Sequence, residues 1–392
     1  MIVIIGAGIS GLYLGYLLKK SKKEFIIIEK DSRYGGRIYV DDFCGKNVVL
    51  GAGIGRFEKD KTLYNLCNEL GVKINKYPKK IDYSFKVTKP FLSYVNSLKE
   101  IDISPEKRSK TTFLEFLREN YKNPNKFTTL SGYTDYIHAD IIDTLYNYGF
   151  DDNTSEVKSY NFTIDWNGLL DSLYNILKVN IHLEEKVLKI DTDKCVVITD
   201  KGRYTYSNVL CSTPVNIARS IFSNNIDIQN ILNELECQTF SRIYVKISDG
   251  NDLLKDRIET FTIVDSFLQK IIPSDKDNGI YMIGYNDNYC ADKGFGYFTT
   301  LNEDEVYEIL ENEIEKIFGV RVKIDIAKIV YWEYGTTYYL PLSKKYRSRD
   351  RWLEYAQNPL KNVFFVGEGF SHNQGWVEGS LESVDSIINL II

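Results

Sequence analysis

The first thirty residues constrain the fold more than any other part of the chain. A continuous apolar run, Ile2–Ile5, leads into a GxGxxG pattern formed by Gly6, Gly8 and Gly11, and a helical stretch over 10–20 follows. Such an apolar run is typical of a parallel strand that is buried on both faces. A glycine turn between that strand and a helix lets a pyrophosphate sit on the helix N-terminus, so we predict a dinucleotide-binding βαβ unit.

The second strand of this unit supplies the expected ribose contact. Residues 25–29 form another apolar run, which ends at Glu29, 23 residues after Gly6. An acidic side chain at the end of this strand can accept hydrogen bonds from ribose hydroxyls. Strand, glycine turn, helix and acid therefore occur in the order that dinucleotide binding requires, whereas a lone glycine pattern would be weak support.

Length, charge and cysteine content exclude several other classes of protein. A chain of 392 residues exceeds one ordinary core, so we expect two domains. The net charge of −5 offers no basic surface for nucleic acid. The six cysteines form no CxxC pair and there are three histidines, so no metal site is predicted.

The sequence also predicts where the protein resides. No run reaches the ~18–20 apolar residues that a membrane span needs. The first residues already form a strand, which leaves no signal peptide, and the scattered cysteines fit a reducing compartment. We expect a cytoplasmic protein that binds a small molecule and neither nucleic acid nor membrane, and a homodimer stays open.

Hydrophobic periodicity predicts further elements along the chain. Helices are predicted over 60–70 (with Asp60 as N-cap), 111–121, 168–177 and 303–318. Strand patterns occur within 181–214, 240–247 and 362–368. No repeat and no low-complexity linker divides the chain, so we expect two interleaved domains.

A second glycine pair follows Glu29. Gly35, Gly36 and Arg37 place a turn and a guanidinium near the same phosphates, and arginine suits a bidentate phosphate contact. A surface turn with a solvated arginine is the alternative. The spacing E-x5-GGR resembles the FAD-binding signature of the flavin-containing amine oxidase superfamily, which includes monoamine, polyamine and L-amino-acid oxidases.

Three more blocks extend the resemblance over the whole chain. They are VVLGAGIGRF at 48–57, DKGRYTYSNVLCSTP at 200–214 and FVGEGFSHNQGWVEGSLESV at 365–384. The last block implies a return to the Rossmann sheet, with Glu368 facing the flavin and a helix from Val377 pointing its N-terminus at the ring edge. Val187 is implied as a backbone contact to adenine, although a plain core valine is equally consistent. The full implied set of FAD contacts is Gly6, Gly8, Ile9, Ser10, Gly11, Glu29, Lys30, Gly36, Arg37, Gly53, Ile54, Val187, Thr213, Gly367, Glu368, Gly375, Trp376 and Val377.

These blocks define the predicted architecture. We expect an α/β fold, with a Rossmann-type FAD-binding domain and an interleaved α+β substrate domain. The FAD-binding domain is predicted to comprise 1–77, 160–236 and 352–392. The substrate domain is predicted to comprise 78–159 and 237–351.

The resemblance also implies an aromatic cage over the flavin. Trp376 would form one wall, with simple packing beside glycine as the alternative. The opposite wall would come from 331–342, where counting back from Pro341 puts Thr336 at the family's tyrosine. We therefore expect an altered cage, or Tyr338 taking over from a shifted register. Gly335 falls where monoamine oxidases carry the cysteine that binds flavin, so FAD is expected to be noncovalent.

Two arginines, Arg242 and Arg56, occupy positions at which the resemblance implies a functional residue. The block FSRIYVKI resembles the family strand Y-T-K-I-F-L-K and puts Arg242 in place of its lysine. Arginine stays charged and cannot accept a proton, but it can hold a water or stabilise reduced flavin. Arg56 resembles the arginine that forks onto the substrate carboxylate in L-amino-acid oxidases, with two extra residues in the block. Pairing with a surface acid such as Glu58 is the alternative.

The resemblance implies an FAD-dependent amine oxidase. We expect hydride transfer to the flavin from an L-amino acid or related amine, with hydrogen peroxide as a product if oxygen is the acceptor. The implied catalytic residues are Arg242, Trp376, Arg56 and Tyr338. Two alternatives stay open: a desaturase or protoporphyrinogen-oxidase-like enzyme acting on a hydrophobic substrate, and an FAD-bound scaffold with little turnover.

Overall fold

The computed structural model of the protein describes residues 1–392, and its strands form five sheets. The strands are β1 (Ile2–Ile5), β2 (Phe25–Ile28), β3 (Val40–Phe43), β4 (Lys46–Val49), β5 (Gly55–Arg56), β6 (Ile74–Pro78), β7 (Ile81–Tyr83), β8 (Tyr160–Ile164), β9 (Ile181–His182), β10 (Val187–Asp191), β11 (Val196–Thr199), β12 (Arg203–Thr205), β13 (Asn208–Cys211), β14 (Leu235–Asp249), β15 (Phe261–Ile263), β16 (Lys270–Asp275), β17 (Ile280–Asp287), β18 (Lys323–Tyr339) and β19 (Val363–Phe365). The helices are α1 (Ile9–Lys20), α2 (Lys61–Glu69), α3 (Phe91–Lys99), α4 (Pro105–Arg108), α5 (Phe113–Asn120), α6 (Pro124–Ser131), α7 (Ile141–Asn147), α8 (Trp166–Leu177), α9 (Val215–Ile221), α10 (Ile226–Leu232), α11 (Asn251–Leu254), α12 (Asn288–Thr300), α13 (Glu303–Phe318), α14 (Arg349–Gln357) and α15 (Val377–Asp385).

The first sheet has the strand order β19-β13-β1-β2-β9, and every neighbouring pair runs parallel. Alternate residues of β1 face two different cores. Ile2 and Ile4 pack with apolar residues of α1 and α15, whereas Val3 and Ile5 pack with residues of α9 and α14. Burial on both faces explains the continuous apolar run. The prediction of an α/β fold with a Rossmann-type sheet is confirmed.

The second large sheet has the order β18-β14-β17-β16-β15-β7 and is antiparallel except for the β15–β7 pair. Ile243, Val245 and Ile247 of β14 share a core with α13, as the predicted alternation requires. The other face of β14 points at residue Val49, whose carbonyl accepts hydrogen bonds from the side chains of Arg242 and Tyr244. This sheet therefore presents one face to helices and the other to the glycine-rich stretch after β2.

Helices α3 to α7 form an insertion with an aromatic core of its own. Phe91, Phe113, Phe127, Tyr136 and Phe150 pack there with their rings mostly edge to face. Such edge-to-face contacts add to the burial of aromatic area. Helix α5 lies within the predicted helix over 111–121, and the assignment of this insertion to a substrate domain stays a prediction.

Asp60 occupies the predicted N-cap position of α2, but its carboxylate makes no hydrogen bond to the helix N-terminus and instead binds Arg56. Glu378 of α15 accepts hydrogen bonds from the free N–H groups of Thr62 and Leu63, at 2.8 and 2.9 Å. A carboxylate from the far end of the chain thus satisfies donors that the first turn of a helix leaves open.

The parallel sheet draws its strands from three separated stretches of the chain, within 2–28, 181–211 and 363–365. The predicted domain boundaries stay a prediction. None of the helices combines the length and the apolar character required to cross a bilayer.

Candidate active site

A cavity of about 1070 Å³ connects the two large sheets. It is lined by the turn between β1 and α1, the end of β2, residues 35–54, the end of β13, parts of β14 and β18, and the stretch 366–377. Ligands of α/β sheets bind beyond the carboxyl ends of the strands. The cavity occupies that place, and both glycine motifs contribute to its wall.

The glycine motifs form a cradle that has room only for backbone. Gly6 adopts a φ of +98°, and a Cβ added to Gly36 would lie 3.1 Å from the Cα of Gly8. A Cβ on Gly11 would lie 2.0 Å from the Gly6 carbonyl oxygen. Gly11 does not line the cavity, so its assignment as a cofactor contact is wrong; it allows α1 to approach the turn closely.

Glu29 stands beside this cradle. Its Oε2 accepts a hydrogen bond from the N–H of Ala7 at 2.8 Å, and its Oε1 accepts one from the N–H of Asp31 at 3.0 Å. Both bonds come from backbone, so the carboxylate is held at the cavity wall in one orientation. In this position a carboxylate can accept hydrogen bonds from ribose hydroxyls.

Arg37 is held on one side only. Its Nη1 donates to Glu368 Oε1 at 2.8 Å and to the Gly335 carbonyl at 2.9 Å. Glu368 is itself fixed by Thr337 and by the N–H of Gly375. The Arg37 side chain keeps 33% of its surface exposed, and its Nε and Nη2 groups donate to no other residue. A forked cation with open donors suits a phosphate.

The structure brings nearly all the other predicted cofactor residues to this cavity. Those that line it are Gly8, Ile9, Ser10, Lys30, Gly53, Ile54, Val187, Thr213, Gly367, Gly375, Trp376 and Val377. A glycine cradle, a helix N-terminus, an oriented acid and an open arginine fork together match the chemistry of a dinucleotide. The residues present therefore fit the implied FAD.

At the far end of the cavity, Arg56 stacks on Trp376. The guanidinium carbon lies 4.0 Å from the centre of the indole ring. Nε and Nη2 of Arg56 donate to Asp60 Oδ1 at 2.8 and 2.6 Å, and Nη1 donates to Asp152 Oδ2 at 3.1 Å. Nη2 also donates to Asn373 Oδ1 at 3.0 Å. Arg56 is therefore paired with acids, as the alternative interpretation held.

The acid named in that interpretation is not the partner. Glu58 accepts a hydrogen bond from the backbone N–H of Tyr160 and faces solvent. Asp60 and Asp152, which bind Arg56 instead, are buried or nearly so. Burial raises the pKa of the Asp60 carboxyl, and the neighbouring Arg56 partly offsets that rise.

Arg242 has very different surroundings on another wall of the cavity. Its Nη1 donates to the Val49 carbonyl at 3.0 Å and lies 4.0 Å from the sulfur of Met282. Its guanidinium lies 4.8 Å from the ring of Tyr285 and 5.5 Å from that of Phe240. No carboxylate pairs with it, and its buried Nε has no hydrogen-bond partner.

Tyr338 does not reach the cavity, so the predicted replacement of the cage tyrosine is wrong. Thr336 lies on the cavity wall, whereas Tyr338 lines a separate pocket of about 50 Å³ with Asp135 and Tyr148. The two residues share a face of β18, but two positions further along the strand the helical insertion covers that face. The position at which the resemblance implied the second aromatic wall is therefore occupied by a small polar residue, Thr336.

Sequence reasoning missed a buried cluster behind the cavity wall. Lys270 is fully buried, donates to Asp287 at 3.1 Å, and lies 3.4 Å from the ring centre of Tyr133 and 4.5 Å from that of Tyr285. Burial lowers the pKa of Lys270. Burial and the nearby Asp287 raise the pKa of Asp135 to about 7. No local pattern marks these residues, because α6, β16 and β17 meet only in the folded chain.

Comparison with known proteins agrees with this geometry. The family model for flavin containing amine oxidoreductase matches residues 161–383, and that for an NAD(P)-binding Rossmann-like domain matches residues 4–70. An L-amino acid oxidase of Cerastes cerastes is 20% identical over 444 aligned positions, which cover 97% of this chain and 85% of that protein. An L-amino-acid oxidase of Protobothrops flavoviridis is 22% identical, with coverage of 97% and 86%.

Solved structures with a similar fold include redesigned putrescine oxidases. A triple mutant of that enzyme superposes with a TM-score of 0.78 at 15% identity, covering 99% of this chain and 98% of the other. A single mutant gives 0.79 at 14% identity, with coverage of 100% and 98%. At these identities the likeness concerns the fold. The family model spans more than half of the chain, and the protein therefore belongs to the flavin containing amine oxidoreductases.

Proposed function

We propose that the protein binds FAD noncovalently and oxidises the carbon–nitrogen bond of a small amine. One observation carries the proposal: the glycine cradle, the Arg37–Glu368 pair and the Trp376 ring all line a single cavity. A dinucleotide held at the cradle has room to place its reactive ring near Trp376. When bound, FAD supplies the acceptor for a hydride equivalent from the carbon beside the amine nitrogen.

The residues of the chain bind and orient the reactants. Glu29 and Arg37 would hold the ribose and phosphate groups, and their own partners fix both side chains in place. Gly335 supports the noncovalent attachment, because a Cβ there would lie 2.3 Å from the Cβ of Phe240. No cysteine side chain fits at that position, which supports the proposal that FAD is held by contacts alone.

The substrate end of the cavity is aromatic, with few open charges. Trp376, Phe240 and Tyr285 contribute apolar area that displaces water from the amine. Arg242 adds a positive charge that no carboxylate neutralises, and such a charge stabilises negative charge developing nearby. Thr336 leaves space where a second aromatic wall was expected.

Two substrate classes are candidates within this proposal, an L-amino acid and an amine without a carboxylate. Arg56 lines the cavity, and the curated relatives that match over most of the chain are L-amino acid oxidases. The L-amino acid version of the proposal requires Arg56 to bind a carboxylate of the substrate. We expect the electron acceptor to be oxygen, with hydrogen peroxide as the product.

Anaerobic reduction of the bound flavin tests the proposal. The purified protein should be yellow, and denaturation should release the colour into solution, which a covalent link would prevent. Mixing without oxygen against a panel of amines and amino acids should bleach the visible band with at least one compound. Readmitted oxygen should restore the colour and generate peroxide.

Two outcomes would contradict the proposal. A colourless protein that cannot be reconstituted with FAD would remove the cofactor. A yellow protein that no amine or amino acid bleaches would favour a hydrophobic substrate or a binding role. Glu58→Gln provides a matched control, since Glu58 is exposed and lies outside the cavity.

A further inference from the structure

The guanidinium of Arg56 is bound by side chains from three parts of the chain. Asp60 precedes α2, Asp152 follows the helical insertion, and Asn373 lies in the C-terminal block. Four of the five N–H groups of Arg56 are used in these bonds. The flat face of the group lies on the Trp376 indole. Only one donor is left for a ligand, which is too few for a bidentate clamp.

We infer that Arg56 is a positioning residue for Trp376, and that the site takes amines with no carboxylate on the reacting carbon. The inference rests on the proposed amine oxidation and names its substrate class. Arg56 then acts through the indole ring and does not touch the carboxylate of a substrate.

The charges around Arg56 support this substrate class. Four carboxylates, those of Glu58, Asp60, Asp151 and Asp152, lie around three cations, Arg56, Lys59 and Lys79. A substrate carboxylate would add a fifth negative group to three positive ones. Like charges at such distances repel, most strongly where water is excluded.

The same charges favour an ammonium group. Asp152 lines the cavity and its side chain keeps 12% of its surface exposed. This carboxylate and the Trp376 ring line the same cavity, so both act on a cationic amine that enters it. Aromatic faces also attract cations, so the approach is favourable before the amine loses its proton.

The Trp376 ring needs a support of this kind. Hydrogen bonds from the N–H groups of Gly375 and Trp376 hold the local backbone, but they do not fix the side-chain torsions of the ring. Glu378 fixes the first turn of α15 to α2. Arg56 completes the junction by covering one face of the indole, which leaves the other face for the amine.

Matched substrate pairs separate the two roles of Arg56. L-Tyrosine and tyramine, and L-ornithine and putrescine, differ only by the carboxylate. In the unmodified protein each amine should reduce the flavin at least about tenfold more efficiently (kcat/KM) than its amino acid, a difference of about 1.4 kcal/mol. Arg56→Lys should slow both members of a pair by a similar factor, up to about 10²-fold, because a displaced ring misaligns either substrate. A carboxylate clamp predicts the reverse. The amino acid is then the preferred substrate, and Arg56→Lys abolishes reduction of the flavin by the amino acid but not by the amine.

Fluorescence of Trp376 tests the positioning without turnover. The Trp376→Phe difference spectrum isolates its emission from that of the other three tryptophans. Arg56→Lys should shift that emission to the red and lower its anisotropy; an unchanged emission would overturn the positioning role. Asn373→Ala removes one hydrogen bond and keeps both ion pairs, so it gives a smaller shift in the same direction if Arg56→Lys does not fold. Because this measurement needs no substrate, it decides the positioning even where the proposed activity fails.

Discussion

Two buried arginines line one cavity and differ in what neutralises them. Arg56 and Arg242 each keep 5% of their surface exposed. Arg56 binds two carboxylates and an amide, whereas Arg242 binds a carbonyl and lies against a thioether and two rings. The charge of Arg56 is neutralised by carboxylates of the same chain. The charge of Arg242 is compensated by no acid and acts on whatever occupies the cavity.

This difference separates two tasks that an arginine can perform. Breaking a buried ion pair leaves an uncompensated charge, so the Arg56 cluster is coupled to the stability of the fold. A buried cation without a counter-charge costs desolvation energy and is retained where its field is useful. We therefore expect changes near Arg56 to affect stability first, and changes at Arg242 to affect the reaction first.

The largest expected effect is on stability at Asp60. Asp60→Ala leaves Arg56 with one carboxylate and should lower the free energy of unfolding by about 3–5 kcal/mol. Urea denaturation measures this directly. Arg242→Met serves as the comparison and should change stability little; equal losses in the two variants would remove the contrast between the two arginines.

The next effect concerns the rate at Arg242. Arg242→Met removes the positive charge and keeps most of the volume, so reduction of the flavin should slow by about 10²–10³-fold. Arg242→Lys should keep part of the rate because it keeps the charge. Stopped-flow reduction under anaerobic conditions gives both rates. A rate that does not respond to the charge would show that Arg242 only fills space.

A third buried cation, Lys270, extends the comparison to pH. Burial and Asp287 raise the pKa of Asp135 to about 7 in the folded protein, against about 4 in the unfolded chain. The folded state keeps that proton longer, so this contribution to stability is full below about pH 4 and is lost as the pH rises to about 7. We expect a loss of about 4 kcal/mol over this range, since each pKa unit corresponds to about 1.4 kcal/mol, and Asp135→Asn should flatten it. Thermal unfolding at several pH values is the measurement; an unaltered profile would mean that Asp135 titrates normally.

The smallest expected effect concerns Arg37, which has one carboxylate partner and open donors. Arg37→Lys keeps the charge but loses the fork, so FAD should bind about tenfold more weakly. Titration of the apoprotein with FAD determines the dissociation constant. Unchanged affinity would mean that the open donors of Arg37 do not meet the phosphates.

Sequence alone predicted the parts of the molecule that local pattern controls. The apolar run before Gly6 and the spacing to Glu29 predicted the parallel sheet and its ligand end, because burial on both faces dictates residue type along a strand. Helix α13 was predicted at its observed bounds, because the residues that begin and end it, Asn302 and Gly319, directly flank the helix in the sequence.

The remainder depends on contacts between distant residues. Asp60 was expected to cap α2, yet Arg56 takes its carboxylate and Glu378 replaces it at the helix. Tyr338 was suggested by its spacing from Pro341 along the sequence. That spacing does not reveal that the helical insertion covers β18 at Tyr338. Lys270 pairs with Asp287 across neighbouring strands, and no sequence spacing predicts such a pair.

The last strand and helix of the parallel sheet have a consequence for biosynthesis. β19 lies at the sheet edge beside β13, and the residues after it supply Glu368, Trp376 and Glu378 to partners near the start of the chain. A nascent polypeptide halted before Val363 lacks the counter-ion of Arg37 and the carboxylate that closes α2. We therefore expect a chain that lacks this segment to retain flavin poorly.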